Sequence, residues 1–373
     1  MHVLKAFAGE PEPAVRITLI SRDSVMLYSG MVPGVIAGLY CRDEAEIDLR
    51  QLAEDTGAAF LEAEVAGIDR LGKHLLLSDG RAIRYDLLSL DIGITPELSH
   101  IDGAAEHAIA VKPISRFLQK LDGLLARCRL PDGPRRITVI GGGAGGVELL
   151  LSLRTRIRDQ ARTEGSDADA FAFALVTEQE ILATHNPRVR SAFRRLLKAR
   201  GLHLEEHSRV ARVRPGSVVM NGGAEISSDE VLVTTGAAAP PWFPATGLAL
   251  DASGFLSVAA SLQVVNDQDV FAVGDCATSI DSPREKAGVF AVRAGPPLVR
   301  NLRRRSRGET LRDWRPQQRH LAIISTGERY AVASRGVWKL EGAWLWSVKD
   351  WIDRRWIQQF PRRQRRTPGT PAS

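Results

Sequence analysis

Arg136–Leu150, read as RITVIGGGAGGVELL, decides the fold. Ile137 to Ile140 is a short β-branched run, and such a run bounded by turn residues reads as a buried parallel strand. Gly141-x-Gly143-x-x-Gly146 follows at once, and Val147-Glu148-Leu149-Leu150 opens a helical pattern. Strand, glycine turn and helix in this order form the dinucleotide-binding signature. Gly141 makes the tight turn, Gly143 lets the backbone approach a pyrophosphate, and Gly146 lets helix and strand pack closely. The helix start then offers unpaired N–H groups and a partial positive charge to phosphate oxygens.

Two carboxylates extend this reading. Glu178 follows the next strand, Phe171–Thr177. At that place a carboxylate accepts hydrogen bonds from a ribose diol and repels a 2′-phosphate, which favours NADH over NADPH. It lies further from the glycines than the usual ~20 residues; the polar insert Arg162–Ala170 absorbs the difference. The alternative is a plain surface glutamate. Asp275 stands in VFAVGDC, just past the buried strand Val270–Gly274. Ligands of open α/β sheets bind at the carboxyl ends of strands, and a polyhydroxyl chain such as ribitol suits this carboxylate. The alternative is a turn aspartate capping the next segment.

Strand patterns alternate with helical ones. Val15–Ser21, Ala58–Ile68, Tyr85–Ile92, Leu202–Val213 and Glu230–Thr235, closed by Gly236, read as strands. Pro113–Arg127 and Pro187–Arg200 are amphipathic. Alternation of this kind means α/β with parallel sheets. Lys286–Arg305 is helical, and its helix proper is expected to begin near Pro296, because proline suits a first turn. Ala343–Phe360 is expected to bury Leu345, Val348, Ile352, Trp356 and Phe360, with Lys349, Asp350, Asp353 and Arg354 outward.

With 373 residues, 44% of them hydrophobic, the chain can form two or three packed domains. It has no apolar run of the ~18 residues a membrane-spanning helix needs, and MHVLKAFAGEPEP lacks the core of a signal peptide. Cys41, Cys128 and Cys276 form no C-x-x-C pair, which argues against a dithiol redox centre and suits a cytoplasmic setting. The net charge of +6 sits late, in Arg303–Arg307 and Arg354–Arg366. A solvated surface, or attraction to anionic lipid, accounts for it. No nucleic-acid motif accompanies the charge. Six of seven tryptophans fall in residues 314–356. A packed helix, or an interfacial membrane or dimer contact through 343–360, explains them.

VIGGGAGGVE, VLVTTG (Val231–Gly236), VFAVGDCA (Val270–Ala277) and KAGVFAVRAGP (Lys286–Pro296) occur in this order. On these motifs the chain resembles the pyridine nucleotide–disulfide oxidoreductases, in their type II NADH dehydrogenase-like branch. Tyr28–Gly34, SLDIG (Ser89–Gly93) and KDWIDRR (Lys349–Arg355) resemble the flavoprotein module that some bacteria fuse to selenophosphate synthetase. The resemblance implies two Rossmann-like dinucleotide-binding domains. An FAD domain, 1–110 plus 237–310, is interrupted by an NAD(H) domain, 111–236; a C-terminal cap, 311–360, and a disordered tail, 361–373, follow. It implies that Gly141, Gly143, Gly146, Glu178 and Gly236 serve NADH. Gly274, Asp275, Ala294, Tyr28 and Pro33 would serve FAD, although Ala294 stands where many relatives carry Gln.

Two departures from the family pattern stand out. Met1–Ala8 resembles the helix that follows a first glycine loop, without the strand and loop ahead of it; losing that strand would expose neighbouring strand edges. Ser21 also stands where a ribose-binding carboxylate is usual, with Asp23 as a substitute. The implied function is an FAD-dependent oxidoreductase that takes hydride from NADH and passes electrons to a quinone, in the cytoplasm or on the inner face of the membrane, with a homodimer as its implied assembly. The alternatives are a degenerate nucleotide-binding relative, a flavoenzyme acting on a selenium or sulfur compound, and a sulfide:quinone-type enzyme, which would need cysteines poised at the flavin.

Overall fold

The computed structural model describes residues 1–317 and 319–362. Its central feature is a five-stranded parallel sheet in the order Ala108–Ala110, Glu230–Val233, Arg136–Ile140, Ala172–Val176, His203–Glu205. Ile137, Val139, Leu175 and Leu232 are each at most 1% exposed, as expected of parallel strands covered on both faces. Helix Ala144–Thr163 makes the crossover from Arg136–Ile140 to Ala172–Val176. Helix Pro187–Ala199 makes the next one: Asn186 caps it by accepting the Val189 N–H, and Gly201 ends it at φ +68°. A three-stranded antiparallel sheet, Val210–Arg214, Ser217–Met220 and Glu225–Ser227, packs Val213, Val218 and Met220 against Ile140, Val176 and Val233.

A second parallel unit is built from strands on either side of this sheet in the chain. Thr18–Ser21 pairs with Ala59–Glu62, and Leu88–Leu90 pairs with Val270–Ala272. The two pairs belong to separate two-stranded sheets. Helix His2–Gly9 packs its Leu4 and Phe7 inward and lies on helix Gly288–Ser306. The whole is α/β, with two parallel-sheet units and a C-terminal hairpin, Ala331–Arg335 and Trp338–Gly342, followed by helix Ala343–Ile357. The expected disordered tail falls outside the described residues from 363 onward; Pro361 accepts the Asp48 N–H at 3.0 Å.

Two expectations are corrected. The helix expected near Pro296 begins at Gly288 and carries Pro296 and Pro297 inside it. Its buried Ala294, Leu298, Val299 and Leu302 pack with Phe7, Leu262 and Phe271, and that burial outweighs the backbone hydrogen bonds proline removes. The C-terminal helix keeps Leu345 and Phe360 buried and Trp356 half-buried as expected, but two of the residues expected inside, and two of the charges expected outside, are exchanged. Val348 and Ile352 are exposed at 38% and 41%, and Trp344 and Trp351 still more. Lys349 and Asp353 are inside, paired at 2.6 Å with side chains 14% and 7% exposed. Their mutual pairing, and a Lys349 bond to the Gly30 carbonyl at 2.6 Å, remove the penalty that otherwise keeps charges outward.

Candidate functional site

The glycine turn caps strand Arg136–Ile140 and leads into helix Ala144–Thr163, with Gly143 as N-cap. Gly141 has φ +123°, a region closed to L side chains, and a Cβ at Gly146 would collide with the Gly141 carbonyl oxygen. A side chain at Gly142 would reach 2.5 Å from Thr177 Oγ1. Gly143 and Gly145, by contrast, have nothing within 4 Å of an added Cβ. Three glycines are therefore demanded by packing, and two leave open space over the helix N-terminus. These residues fit a dinucleotide pyrophosphate.

Thr177 locks the neighbouring strand end: its N–H donates to Glu205 O at 2.9 Å, and its carbonyl accepts the Ser208 N–H at 3.0 Å. Glu178 follows, exposed, with Arg209 Nη1 4.0 Å from its Oε1. Glu178 thus stands next to Thr177, the residue that touches the glycine turn. Gly236, φ +73°, marks the return from this sheet, and its carbonyl accepts the Glu97 N–H at 3.2 Å.

The second cleft gathers around Gly274–Cys276. Gly274 is at φ +70°, and a Cβ there would strike Asp91 Oδ1. Asp275 accepts from Lys112 Nζ at 3.3 Å and is 18% exposed. The start of helix Gly288–Ser306 stands beside this turn: the Ala291 side chain faces Gly274, and Ser29 faces Gly288. Crowding by protein atoms raises the Asp91 carboxyl to about 6 although the cleft leaves it open to solvent; the Met1 amine opposes that shift and the Asp275 charge adds to it. A close-approach glycine, a carboxylate and a helix start around one cleft fit the ribityl chain and ring of FAD. Asp23 is engaged elsewhere, accepting from Ser115 Oγ at 3.0 Å.

Three further residues expected at FAD also serve packing. Ala294 is 2% exposed and packs in the core while lining the Gly274–Asp275 cleft. Pro33 sits in the first turn of helix Val32–Ala37, which lies on helix Ala144–Thr163. Gly34 is small to admit the Tyr40 ring. Tyr28 stacks on Trp356, ring centroids 4.1 Å apart, and burial with the nearby Asp353 pushes its phenol upward.

Glu148, one turn into the nucleotide helix, carries no motif role; it is half-buried and crowded by protein atoms. Burial raises its carboxyl to about 6, against the pull of Lys349 and of the Ser325 N–H, which donates at 2.7 Å; Asp353 adds to the rise. The signal was in view, as Val147-Glu148-Leu149 puts a carboxylate among apolar helix positions. The cysteines hold no pair: Cys41 is exposed, Cys128 is buried elsewhere, and Cys276 lies 3.2 Å from Val273 O, its thiol pushed up to about 12 by burial.

Comparison with known proteins agrees with this fold. The chain is 28% identical over 267 residues to an NADH dehydrogenase-like protein of Mycobacterium tuberculosis, covering 68% of this chain and 64% of the relative, so the match spans less than two thirds of that relative's length. It is 26% identical to a demethylphylloquinone reductase of Synechocystis, over 62% of this chain and 57% of that one. Its fold matches the sulfide:quinone oxidoreductase of Aquifex aeolicus (TM-score 0.79, 16% identity, covering 96% and 88% of the two chains). It also matches NDH2 from Plasmodium falciparum in complex with NADH (TM-score 0.78, 13% identity, 96% and 94%). Residues 5–299 match the family profile described as pyridine nucleotide-disulphide oxidoreductase, a span holding both the glycine turn and the Gly274–Asp275 turn, and the chain belongs to that family.

Proposed function

We propose that this chain is an FAD-dependent NADH oxidoreductase that delivers electrons to a quinone. One observation carries the reading. A pyrophosphate cradle with an adjoining carboxylate, Gly141–Gly146 and Glu178, shares a chain with a second turn, Gly274–Asp275, that faces a helix start. Gly143 and Gly145 leave room for the NADH phosphates, and Glu178 accepts from its ribose. Asp275 would accept from the ribityl hydroxyls of FAD, and the first N–H groups of helix Gly288–Ser306 would hold negative charge on its ring. FAD, when bound, supplies the hydride-accepting and electron-passing chemistry. A disulfide acceptor has no cysteine pair to serve it. Full reduction of a quinone takes one proton more than the hydride brings, and the half-buried cluster of Glu148, Lys349, Asp353 and Tyr28 is our candidate to supply it.

The domain division 1–110 plus 237–310, 111–236 and 311–360 follows from the same reading. The exposed face of the C-terminal unit supports peripheral contact with the inner membrane surface. Val337 and Trp338 are each 71% exposed, and Leu340, Trp344 and Trp351 exceed 50%, beside Arg355, which lies over the Trp351 ring. Aromatic and basic groups together suit a headgroup boundary. Among the described residues no helix is long and apolar enough to cross a membrane.

The test is the visible spectrum of purified, FAD-supplemented protein, before and after anaerobic NADH, followed by a soluble quinone. Flavin bands that bleach with NADH and recover with quinone are expected. Protein that stays colourless, or a reduced flavin that quinone leaves bleached, overturns the reading.

A further inference from the structure

The Gly274–Asp275 cleft continues past the groups assigned to flavin. Its far end is floored by Val258, Leu262 and Ala272 and walled by Arg284, Phe290 and Trp314. Lys112, which pairs with Asp275, and Ser29, which faces Gly288, are not among the described residues of that wall.

The wall is held in place. Asn301 is fully buried; its amide donates to Ser261 O and Arg312 O, each at 2.8 Å, and its oxygen accepts the Arg312 N–H at 3.0 Å. The Trp314 N–H donates to Ala260 O at 2.9 Å. These bonds tie residues 312–314 to helix Gly288–Ser306 and to Ala260 and Ser261. The Phe290 ring meets His320 edge-on, centroids 5.2 Å apart.

Two cations line this end, and among the described residues no carboxylate pairs with either. Arg284 reaches only carbonyl oxygens, Pro283 O at 2.9 Å and Pro316 O at 3.4 Å, and its enclosed Nε has no hydrogen-bond partner. Lys286 Nζ donates to Ala277 O at 2.7 Å and Thr278 Oγ1 at 2.9 Å and lies over the Phe255 ring. The nearby acids are turned elsewhere: Glu285 faces His320 at 3.5 Å, Asp275 pairs with Lys112, and Asp251 acts on Lys286 from beyond ion-pair distance. An enclosed donor without an acceptor is destabilising, so it marks a place where an acceptor belongs. An apolar floor, aromatic walls and a few converging polar groups are the usual make-up of a small-molecule site.

We infer that the far end of this cleft is a binding site for an aromatic carboxylate, separate from the flavin and NADH sites. The carboxylate accepts from Arg284 Nε through a charge-assisted bond, with the Lys286 charge beside it. The ring packs between Phe290 and Trp314 over the apolar floor.

Calorimetric titration of the full-length protein with 2-naphthoate, and with 2-naphthalenemethanol as the uncharged control, tests it, each with and without added FAD. Wild-type protein is expected to bind the acid at least about tenfold more tightly than the alcohol, the scale of one charge-assisted bond. Added FAD should leave that affinity unchanged. Arg284→Gln should weaken the acid by about tenfold and leave the alcohol as it was, Arg284→Lys should restore part of the loss, and Trp314→Leu should weaken both ligands. A cooperative urea transition shows that a variant is folded. No binding of the acid, equal affinity for acid and alcohol, or binding of the acid that Arg284→Gln leaves intact overturns the inference. Displacement of the acid by FAD shows that it occupied the flavin site, and overturns the inference as well. Protein that binds the acid as expected but takes up no FAD keeps this site and loses the flavin reading, on which the inference does not rest.

Discussion

Gly146 and Gly143 lie three positions apart in one turn, and their needs are opposite. At Gly146 an added methyl meets the Gly141 carbonyl, a backbone atom that cannot move alone; at Gly143 it meets open space at φ −70°. Gly146→Ala should therefore destabilise the fold by about 1–3 kcal/mol, the usual scale of overpacking, as read by a shifted urea midpoint. Gly143→Ala should leave that midpoint in place and weaken ADP-ribose binding, because the methyl occupies the approach to the phosphates. Equal effects of the two changes in both measurements would contradict this division. The glycine spacing is legible in the sequence; which glycine serves packing and which serves ligand is not, because that depends on what the fold brings opposite each Cα.

At the scale of the element, helix Ala343–Ile357 shows how periodicity can mislead. Its apolar positions mark a stripe, and the stripe reads as the buried side. In the structure Lys349 and Asp353 satisfy one another and Gly30 in the interior, and Trp344 and Trp351 face out while Trp346 and Trp356 pack inward. A charged pair three or four positions apart on one helix face can be buried when each partner completes the other's hydrogen bonds. The outward face makes a prediction about surfaces. Flotation with vesicles containing anionic lipid should carry the wild-type protein upward. Trp344→Ser/Trp351→Ser should cut the bound fraction by about tenfold, since both lose apolar area at the headgroup boundary. Leu71→Ser, at a position 96% exposed elsewhere, should leave binding unchanged; equal loss in both variants would argue against a localised face.

At the scale of the whole molecule, Glu148 ties three regions together: the nucleotide helix that bears it, strand Ala322–Ser325 that donates to it, and the C-terminal helix whose Lys349 and Asp353 act on it. Its carboxyl moves from 4.5 to about 6 on folding. The folded state therefore binds more protons than the unfolded state between those values, and stability falls as pH rises through that window. Below 4.5 both states are protonated and no penalty remains; above about 6 the penalty is complete, at about 2 kcal/mol by the usual conversion of a pKa shift. Glu148→Gln keeps an acceptor for Ser325 and removes the titration. Relative to wild type, it should gain stability in urea at pH 7.5 and gain much less at pH 4.5. A gain that does not change with pH would show that Glu148 titrates normally.

Local chemistry made the nucleotide turn, the alternation of strand and helix, and the carboxylates after Thr177 and Gly274 readable from the chain alone. Glycine dihedral freedom, β-branched runs and helix starts act over a few residues, so they are written in consecutive letters. The start of helix Gly288–Ser306, the inward turn of Lys349 and Asp353, the crowding of Glu148 and the looseness of Arg209 beside Glu178 were decided by tertiary structure. Each depends on a partner far away in sequence: Phe7 for the helix, Gly30 for the lysine, Ser325 for the glutamate, and the Thr177–Ser208 bond for the arginine. Burial and charge compensation are properties of those distant pairs, and no local pattern records them.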